Sequence, residues 1–455
     1  MKRRKPKRGV PQVSLLRPGI TKGSPQPSPS SILTQLVQIE KPIYGGTFLA
    51  RDEGKAMFVP LALPGEKARV RIVEEKRGYA TAEIEELVSS APERVTPDCP
   101  HFGPCGGCQY QHAGYSTQLQ IKQAVLRETM ERAGVAVPVE IATLSGKPWG
   151  YRNRIRLAFN ANGNPGYRGR RSHDVVPIRE CPIAAPLLVR AARASSEIAR
   201  GFAPALRPAE IALFCDANEE ALLLTVFIAG PAKIRFDDFA ESLRARIPEL
   251  KGAELTMEGR TNQPPRSIAQ WGAISLAYHA GGVEYRVDHG AFFQVNRWLV
   301  DALVEQVTAG LSGQLAWDLF AGVGLFARRL TNSFERVIAV ESALAASDAL
   351  QANLAGTGGS AVRASTSDFL HRNRTGERPG LVVVDPPRTG LGAEITSMLT
   401  AIASPVLVYV SCDPATLARD LRTLLAGGYA IESMALADLF PQTFHLETVV
   451  RLRRT

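Results

Sequence analysis

Four apolar runs in the last third of the chain each end in a polar motif, and this pattern restricts the fold more than any other feature. Gln314–Phe320 (QLAWDLF) opens into Ala321-Gly322-Val323-Gly324 and then a helical stretch, Leu325–Leu330. Arg336–Val340 ends at Glu341, Leu381–Val384 (LVVV) runs into Asp385-Pro386-Pro387-Arg388, and Pro405–Val410 (PVLVYV) runs into Ser411-Cys412-Asp413-Pro414. A strand, a glycine-rich turn and a helix make a nucleotide-binding turn, because glycine lets the backbone approach a ligand. Motifs at the carboxyl ends of parallel strands lie where open α/β sheets bind their ligands. The expected fold class is therefore α/β, with a Rossmann-like C-terminal domain over 288–455.

The ligand of that domain is a nucleoside. Gly322, Gly324 and Ala327 satisfy the loose G-x-G-x-x-G/A pattern of dinucleotide enzymes, which is a weak signal alone. A carboxylate at Glu341 can hold two ribose hydroxyls, and both NAD and S-adenosyl-L-methionine carry such a ribose. The later motifs separate the two. A dehydrogenase needs no Cys beside a strand end, whereas a methyltransferase acting on a pyrimidine carbon does. Asp368 either reaches the adenine edge or is an exposed loop acid.

C5 of uracil is a poor nucleophile, and its hydrogen must leave. Addition of the Cys412 thiolate to C6 gives C5 carbanion character, so that C5 can attack a methyl sulfonium. A general base then removes the C5 proton, and elimination regenerates the thiol. Glu447, in His445-Leu446-Glu447-Thr448-Val449-Val450, is the base candidate. A strand-end surface carboxylate is the plainer reading of Glu447, and a buried thiol that of Cys412.

Ahead of this domain the chain changes character twice. Met1–Ser30 holds eight Lys/Arg, six Pro and no acid, which reads as a disordered basic arm over 1–31. No apolar segment follows it, so it is not a secretory signal. It is either a phosphate-binding arm or a solubilising leader. From Ile32 to about Pro92, Lys55–Pro60, Lys67–Glu74 and Tyr79–Glu86 alternate apolar and polar residues. Such short strands predict an OB-like β-barrel over 32–92.

The stretch 93–287 is expected to form a central α+β domain. Cys99, Cys105 and Cys108 have the spacing C-x5-C-x2-C in a Gly/Pro-rich loop, and Cys181, followed by a proline, is the best fourth ligand. The spacing favours an iron–sulfur cluster over zinc, which more commonly shows two C-x2-C pairs. Cys215, in the apolar run Ile211–Cys215, reads as a core residue. Thr117–Ala133 has helical spacing. Tyr151–Glu180 holds seven arginines against Asp174 and Glu180, interleaved with Tyr151, Phe159 and Tyr167. This segment is read as an RNA contact, with a solvated strand pair as the alternative.

The whole-chain numbers agree. The net charge is +10 over 455 residues, enough to make a nucleic-acid partner worth testing. No run of about 20 apolar residues occurs, so no membrane span is expected. Six Cys are too few for a disulfide-stapled secreted scaffold.

Together these residues resemble the RNA uracil-C5 methyltransferases, in particular the 23S rRNA branch with a TRAM domain and a 4Fe-4S cluster. The resemblance runs from Ile32 to the C-terminus. It rests on IEKPIYGGTFLARDEGKAMFVPLALPGEKARVRI for TRAM, CPHFGPCGGC with Cys181, Phe292-Phe293-Gln294-Val295-Asn296, DLFAGVG, DPPR, SCDP and HLETVV, in that order. It implies Cys412 as nucleophile, Glu447 as base, and Cys99, Cys105, Cys108 and Cys181 as cluster ligands. It also places Gln294, Phe320, Glu341 and Asp385 around S-adenosyl-L-methionine and the target base, with Asp368 nearby. Where the family often has Asn five positions after the Phe of DLF, this chain has Leu325. The stretch between about Pro182 and Val287 looks less like the family. The implied partner is RNA, 23S rRNA ahead of tRNA, handled by a cytoplasmic monomer. A cytosine-C5 enzyme would be expected to carry a motif other than DPPR. A non-catalytic RNA-binding or assembly factor is the alternative of a different class, and intact Cys412 and Glu447 speak against it.

Overall fold

A computed structural model describes residues 34–259 and 265–455. The basic arm Met1–Ser30 lies outside the described residues. The N-terminal strands β1 (Thr34–Ile43), β2 (Thr47–Asp52), β3 (Lys55–Pro60), β4 (Lys67–Glu75) and β5 (Tyr79–Ser89) close into a barrel in the order β1-β2-β3-β5-β4. The alternation in sequence becomes an inside and an outside. Val37, Ile39, Phe48, Ala50, Met57, Val59, Ala68 and Val70 fill the interior.

The cysteine loop leads from the barrel to α1 (Tyr115–Arg132) and β6 (Ala142–Leu144). Next comes a seven-stranded sheet of β7 (Arg154–Phe159), β8 (Pro165–Arg168), β9 (Val175–Pro177), β10 (Glu210–Cys215), β11 (Leu222–Ile228), β12 (Leu250–Met257) and β13 (Arg266–Gly272). Its order is β13-β12-β11-β10-β7-β8-β9. The helices α2 (Pro186–Gly201) and α3 (Phe236–Arg246) supply residues such as Leu188 and Phe239 to its core. Cys215 lies in that core, fully buried on β10. A hairpin, β14 (Ser275–Ala280) and β15 (Val283–Asp288), and α4 (Val300–Thr308) precede the C-terminal sheet.

That sheet contains β16 (Gly313–Leu319), β17 (Phe334–Glu341), β18 (Gly359–Arg363), β19 (Leu381–Val384), β20 (Val406–Ser411), β21 (Tyr429–Ala437) and β22 (Glu447–Arg454). Between them lie α5 (Leu325–Leu330), α6 (Leu344–Leu354), α7 (Thr366–Asn373), α8 (Gly392–Ile402) and α9 (Pro414–Ala426). The strand order is β18-β17-β16-β19-β20-β22-β21-β6, parallel from β18 to β20 with β22 antiparallel between β20 and β21. β6 pairs with β21, so the stretch 93–287 contributes a strand to this sheet. β19 and β20 are buried at every position, which is why LVVV and PVLVYV read as continuous apolar runs. The chain runs outward from β16 to β18, then returns to start β19 on the other side. Beyond the strand ends, this reversal opens the crevice between β16 and β19 where such sheets bind ligands. Among the described residues no helix is long and apolar enough to cross a membrane.

Candidate active site and cysteine pocket

The sheet register joins the two residues that chemistry needs together. Ser411 pairs with Thr448 where β20 meets β22 antiparallel, so Cys412, just past β20, faces Glu447 at the start of β22. Glu447 is 4% exposed, and its Oε1 has no partner. Burial, and then the nearby Asp385 carboxylate, push its pKa well above the usual range. Burial also raises Asp385 to about 7. The Cys412 thiol is pushed up to about 12 by burial, then by Glu447 and Asp385, with Arg388 acting the other way. Gln294, 6% exposed, donates its side-chain amide to Asp385 Oδ2 at 3.5 Å. Cys412, Glu447, Asp385, Arg388 and Gln294 therefore share one site.

The glycine turn sits beside it. Phe320, at the end of β16, holds a left-handed φ of 64°, an unusual conformation for a non-glycine residue that costs roughly 1–3 kcal/mol. Gly324 follows at φ 90°, where a Cβ would come within 2.6 Å of Leu350 Cδ1. The Gly322 amide donates to Glu341 Oε2 at 2.9 Å, while the Ser342 and Ala343 amides donate to Oε1, each at 2.7 Å. Glu341 thus ties the turn to the end of β17. Leu325, in place of the family's Asn, is a buried apolar contact in the core beneath the turn.

Asp368 lies in the first turn of α7, exposed to solvent. Ser365 is the N-cap of that helix: the Asp368 amide donates to Ser365 Oγ at 3.0 Å, and Ser365 Oγ donates to Asp368 Oδ2 at 2.7 Å. Sequence reading missed Asp318. It is fully buried, accepts from the Ala327 amide at 2.8 Å and leaves Oδ1 unpaired, and burial lifts its pKa to about 8. An acid inside the apolar run QLAWDLF was the available signal.

The segment 438–446 delivers Glu447 and is held from three directions. Buried Lys122 on α1 pairs with Asp438 at 2.5 Å and donates to the Phe440 carbonyl at 2.9 Å. Gln442 adopts φ 70° and exchanges amide bonds with Gln118, while its carbonyl accepts from the Gln109 and Tyr110 amides at 3.0 Å. The Tyr151 hydroxyl donates to the Pro441 carbonyl, and the Asn296 amide to the Leu439 carbonyl. Gln109 directly follows Cys108, so the cysteine loop itself braces this segment.

Cys99, Cys105, Cys108 and Cys181 line a single pocket with Tyr167 and Gln111. Among the described residues no three or more His, Cys, Asp or Glu side chains are gathered closely enough to hold a metal ion. The donor set is nevertheless uniform, with four thiols on one cavity and Cys181 brought in from a distant loop. Largely buried Arg152 lies beside Cys108 and Cys181, and no carboxylate pairs with it among the described residues. The Tyr167 hydroxyl is also unpartnered and faces Cys181.

Five of the seven arginines in the expected RNA segment have partners within the protein, although Arg156 and Arg168 stay more than half exposed. Arg152 is beside the thiols, and Arg154 lies over the Phe214 ring and donates to the Ala291 carbonyl. Arg156 and Arg168 pair with Glu210, and Arg170 pairs with Glu83. Arg171 and Arg179 remain exposed and without an acidic partner among the described residues. A cavity of about 1050 Å³ opens nearby, but Arg190, Arg246 and Arg297 on its wall already pair with Glu249, Glu197 and Glu219. It lies away from Cys412.

Residues 377–455 match the family described as tRNA (Uracil-5-)-methyltransferase, and residues 33–84 match the TRAM domain. A Klebsiella pneumoniae protein named 23S rRNA (uracil(1939)-C(5))-methyltransferase RlmD is 33% identical, across 90% of this chain and 93% of its own length. The protein of the same name from Pseudomonas entomophila is 32% identical, across 91% and 92%. The chain belongs to the RNA uracil-C5 methyltransferase family. A solved structure of Pyrococcus abyssi tRNA (uracil-54, C5)-methyltransferase in complex with S-adenosyl-L-homocysteine shares the fold of this methyltransferase. Its TM-score is 0.72 at 23% identity, with 91% of this chain and 100% of that chain covered. The barrel at the N-terminal end of the methyltransferase is thus a TRAM domain, ahead of a mixed α/β body, in agreement with the fold class read from sequence.

Proposed function

We propose that this protein methylates C5 of a uridine in 23S rRNA, using S-adenosyl-L-methionine and acting as a monomer. The observation that carries the reading is Cys412 facing Glu447 across β20 and β22, with Asp385 beside them, in a family whose named relatives act on 23S rRNA. In the proposed chemistry the Cys412 thiol gives up its proton to solvent, Sγ bonds to C6 of uracil, and the C5–C6 π pair moves onto C5 and O4. When bound, S-adenosyl-L-methionine supplies an electrophilic methyl group to that carbon. Glu447 then takes the C5 proton, the C5–H electrons re-form the double bond, and Cys412 leaves as thiolate.

Several features support these roles. Burial raises the pKa of the Cys412 thiol in the RNA-free protein, so it must lose its proton before it attacks. Gln294 and Asp385 would contact the uracil edge. Phe320, Gly322, Gly324 and Glu341 would hold the cofactor, with Asp368 at the rim of its adenine. Asp318, Glu341, Asp385 and Glu447 crowd together, and orphaned oxygens on Asp318 and Glu447 fit a cationic sulfonium ligand. The domain division proposed is a TRAM barrel at 32–92, a central domain at 93–287 and a catalytic domain at 288–455.

We also assign a 4Fe-4S cluster to Cys99, Cys105, Cys108 and Cys181. A multi-iron cluster takes thiolates spread wider than a single ion does, and Arg152 and Tyr167 would offset its negative charge. Its thiolate bonds would cross-link the cysteine loop to Cys181, and its iron would add one-electron chemistry that methyl transfer does not require. Anaerobically purified protein should hold about four irons per chain with a brown absorbance; one zinc instead would overturn the assignment. For the substrate, 5-methyluridine mapping in a deletion strain should show one lost site in 23S rRNA. A loss confined to tRNA would replace that substrate.

A further inference from the structure

We propose that Tyr44, on the TRAM barrel, is a positioning residue for the Cys412 nucleophile, so that the barrel completes the catalytic site. This rests on the methyl-transfer reading above. Tyr44 lies in the turn between β1 and β2, and its hydroxyl donates to the Cys412 carbonyl at 3.4 Å. No other side chain among the described residues bonds that carbonyl. The peptide it holds joins the end of β20 to Asp413, the N-cap of α9, whose carboxylate accepts from the Ala415 and Thr416 amides. The strand end, the helix start and the Tyr44 hydroxyl therefore fix the backbone that aims the thiol.

The turn is seated too closely to be an incidental contact. The Tyr44 and Phe444 rings meet edge to face, with centroids 5.6 Å apart, and Phe444 packs on His445 at 4.1 Å. The two aromatics are exchanged between units. Tyr44 packs on the core of the catalytic sheet, and Phe444, three residues before Glu447, packs on the core of the barrel. Gly46 has φ 81°, and a Cβ there would meet Gln109 Cγ at 2.8 Å and Phe444 Cβ at 3.3 Å, so only glycine fits. Burial and the neighbouring Asp413 raise the pKa of the Tyr44 hydroxyl, which keeps it a donor throughout the working pH range. Displacing the barrel would withdraw this donor from the nucleophile and loosen the segment that carries the base.

The test is Tyr44→Phe in the full-length protein, which keeps the ring and removes the hydroxyl. Three quantities are compared with the native protein: single-turnover methyl transfer at saturating RNA, the rate of covalent adduct formation with 5-fluorouracil RNA, and RNA affinity. Both rates should fall by about tenfold, because misaiming a nucleophile acts on the reaction step. RNA affinity should stay within twofold and the melting temperature should not change. Gly46→Ala, which lifts the turn, should reproduce the rate loss. Native rates in Tyr44→Phe would overturn the proposal, and so would a loss confined to RNA affinity, which would make Tyr44 an RNA contact. If the native protein forms neither adduct nor 5-methyluridine, the methyl-transfer reading itself fails.

Discussion

Replacing Lys122 by Met should cost this protein a large part of its stability and much of its activity. The Lys122 and Asp438 side chains are 1% and 0% exposed, 2.5 Å apart. Asp438 Oδ2 already lacks a partner, so without Lys122 the carboxylate would be buried and uncompensated. Methionine fills the volume of the lysine stem, so charge, not a cavity, governs the outcome. Breaking a buried pair from one side costs about 3–5 kcal/mol, against a total stability of about 5–15 kcal/mol for a typical domain. The bond to the Phe440 carbonyl disappears as well, releasing the segment that leads to Glu447. Urea unfolding of the full chain, followed by circular dichroism, measures the loss. Asp438→Asn added to Lys122→Met removes the stranded charge and should restore more than half of it. A single variant within 1 kcal/mol of native, or a double variant no better than the single, would refute this account of the segment.

Other perturbations act on the chemistry. Glu447→Gln should leave Cys412 addition intact but stop C5 proton removal, so turnover should drop by about 10²–10⁴-fold while a covalent protein–RNA adduct accumulates on ordinary uridine RNA. Denaturing gels read this directly, and full turnover without adduct would place the base elsewhere. Stability should also depend on pH through Asp385, whose folded-state pKa, about 7, lies above its unfolded value near 4. Such a carboxyl contributes stability that is fully present below about pH 4 and is lost as pH rises through about 7. Asp385 alone should therefore account for a loss of up to about 4 kcal/mol between pH 4 and 8 in the ligand-free protein. Asp318 and Glu447, also raised, act in the same direction, so Asp385→Asn should reduce that slope without abolishing it, and an unchanged melting profile would contradict the burial argument.

The parallel core was readable because β19 and β20 are buried on both faces, leaving continuous apolar runs that stop at DPPR and SCDP. Cys181 could be matched to the cysteine loop by chemistry alone, and the structure places all four thiols on one pocket. The contact between Cys412 and Glu447 was not readable, since it depends on β22 inserting antiparallel between β20 and β21. Sequence spacing does not encode that register. In the arginine-rich segment Arg154 finds a ring and a carbonyl inside, whereas Arg156 and Arg168 reach Glu210 while staying on the wet face of the sheet, as charged strand residues are expected to. Tyr44 was invisible as a site residue because its partner lies 368 positions away.

The central claim is that Cys412 attacks a uracil ring. Incubation with S-adenosyl-L-methionine and 5-fluorouracil-containing 23S rRNA tests it most directly, because fluorine at C5 cannot leave as a proton and the covalent intermediate is trapped. Native protein should form a denaturant-stable adduct whose digest carries the modified nucleotide on the peptide containing Cys412, and Cys412→Ala should form none. An adduct on another residue, an equal adduct with Cys412→Ala, or no adduct at all would contradict the account.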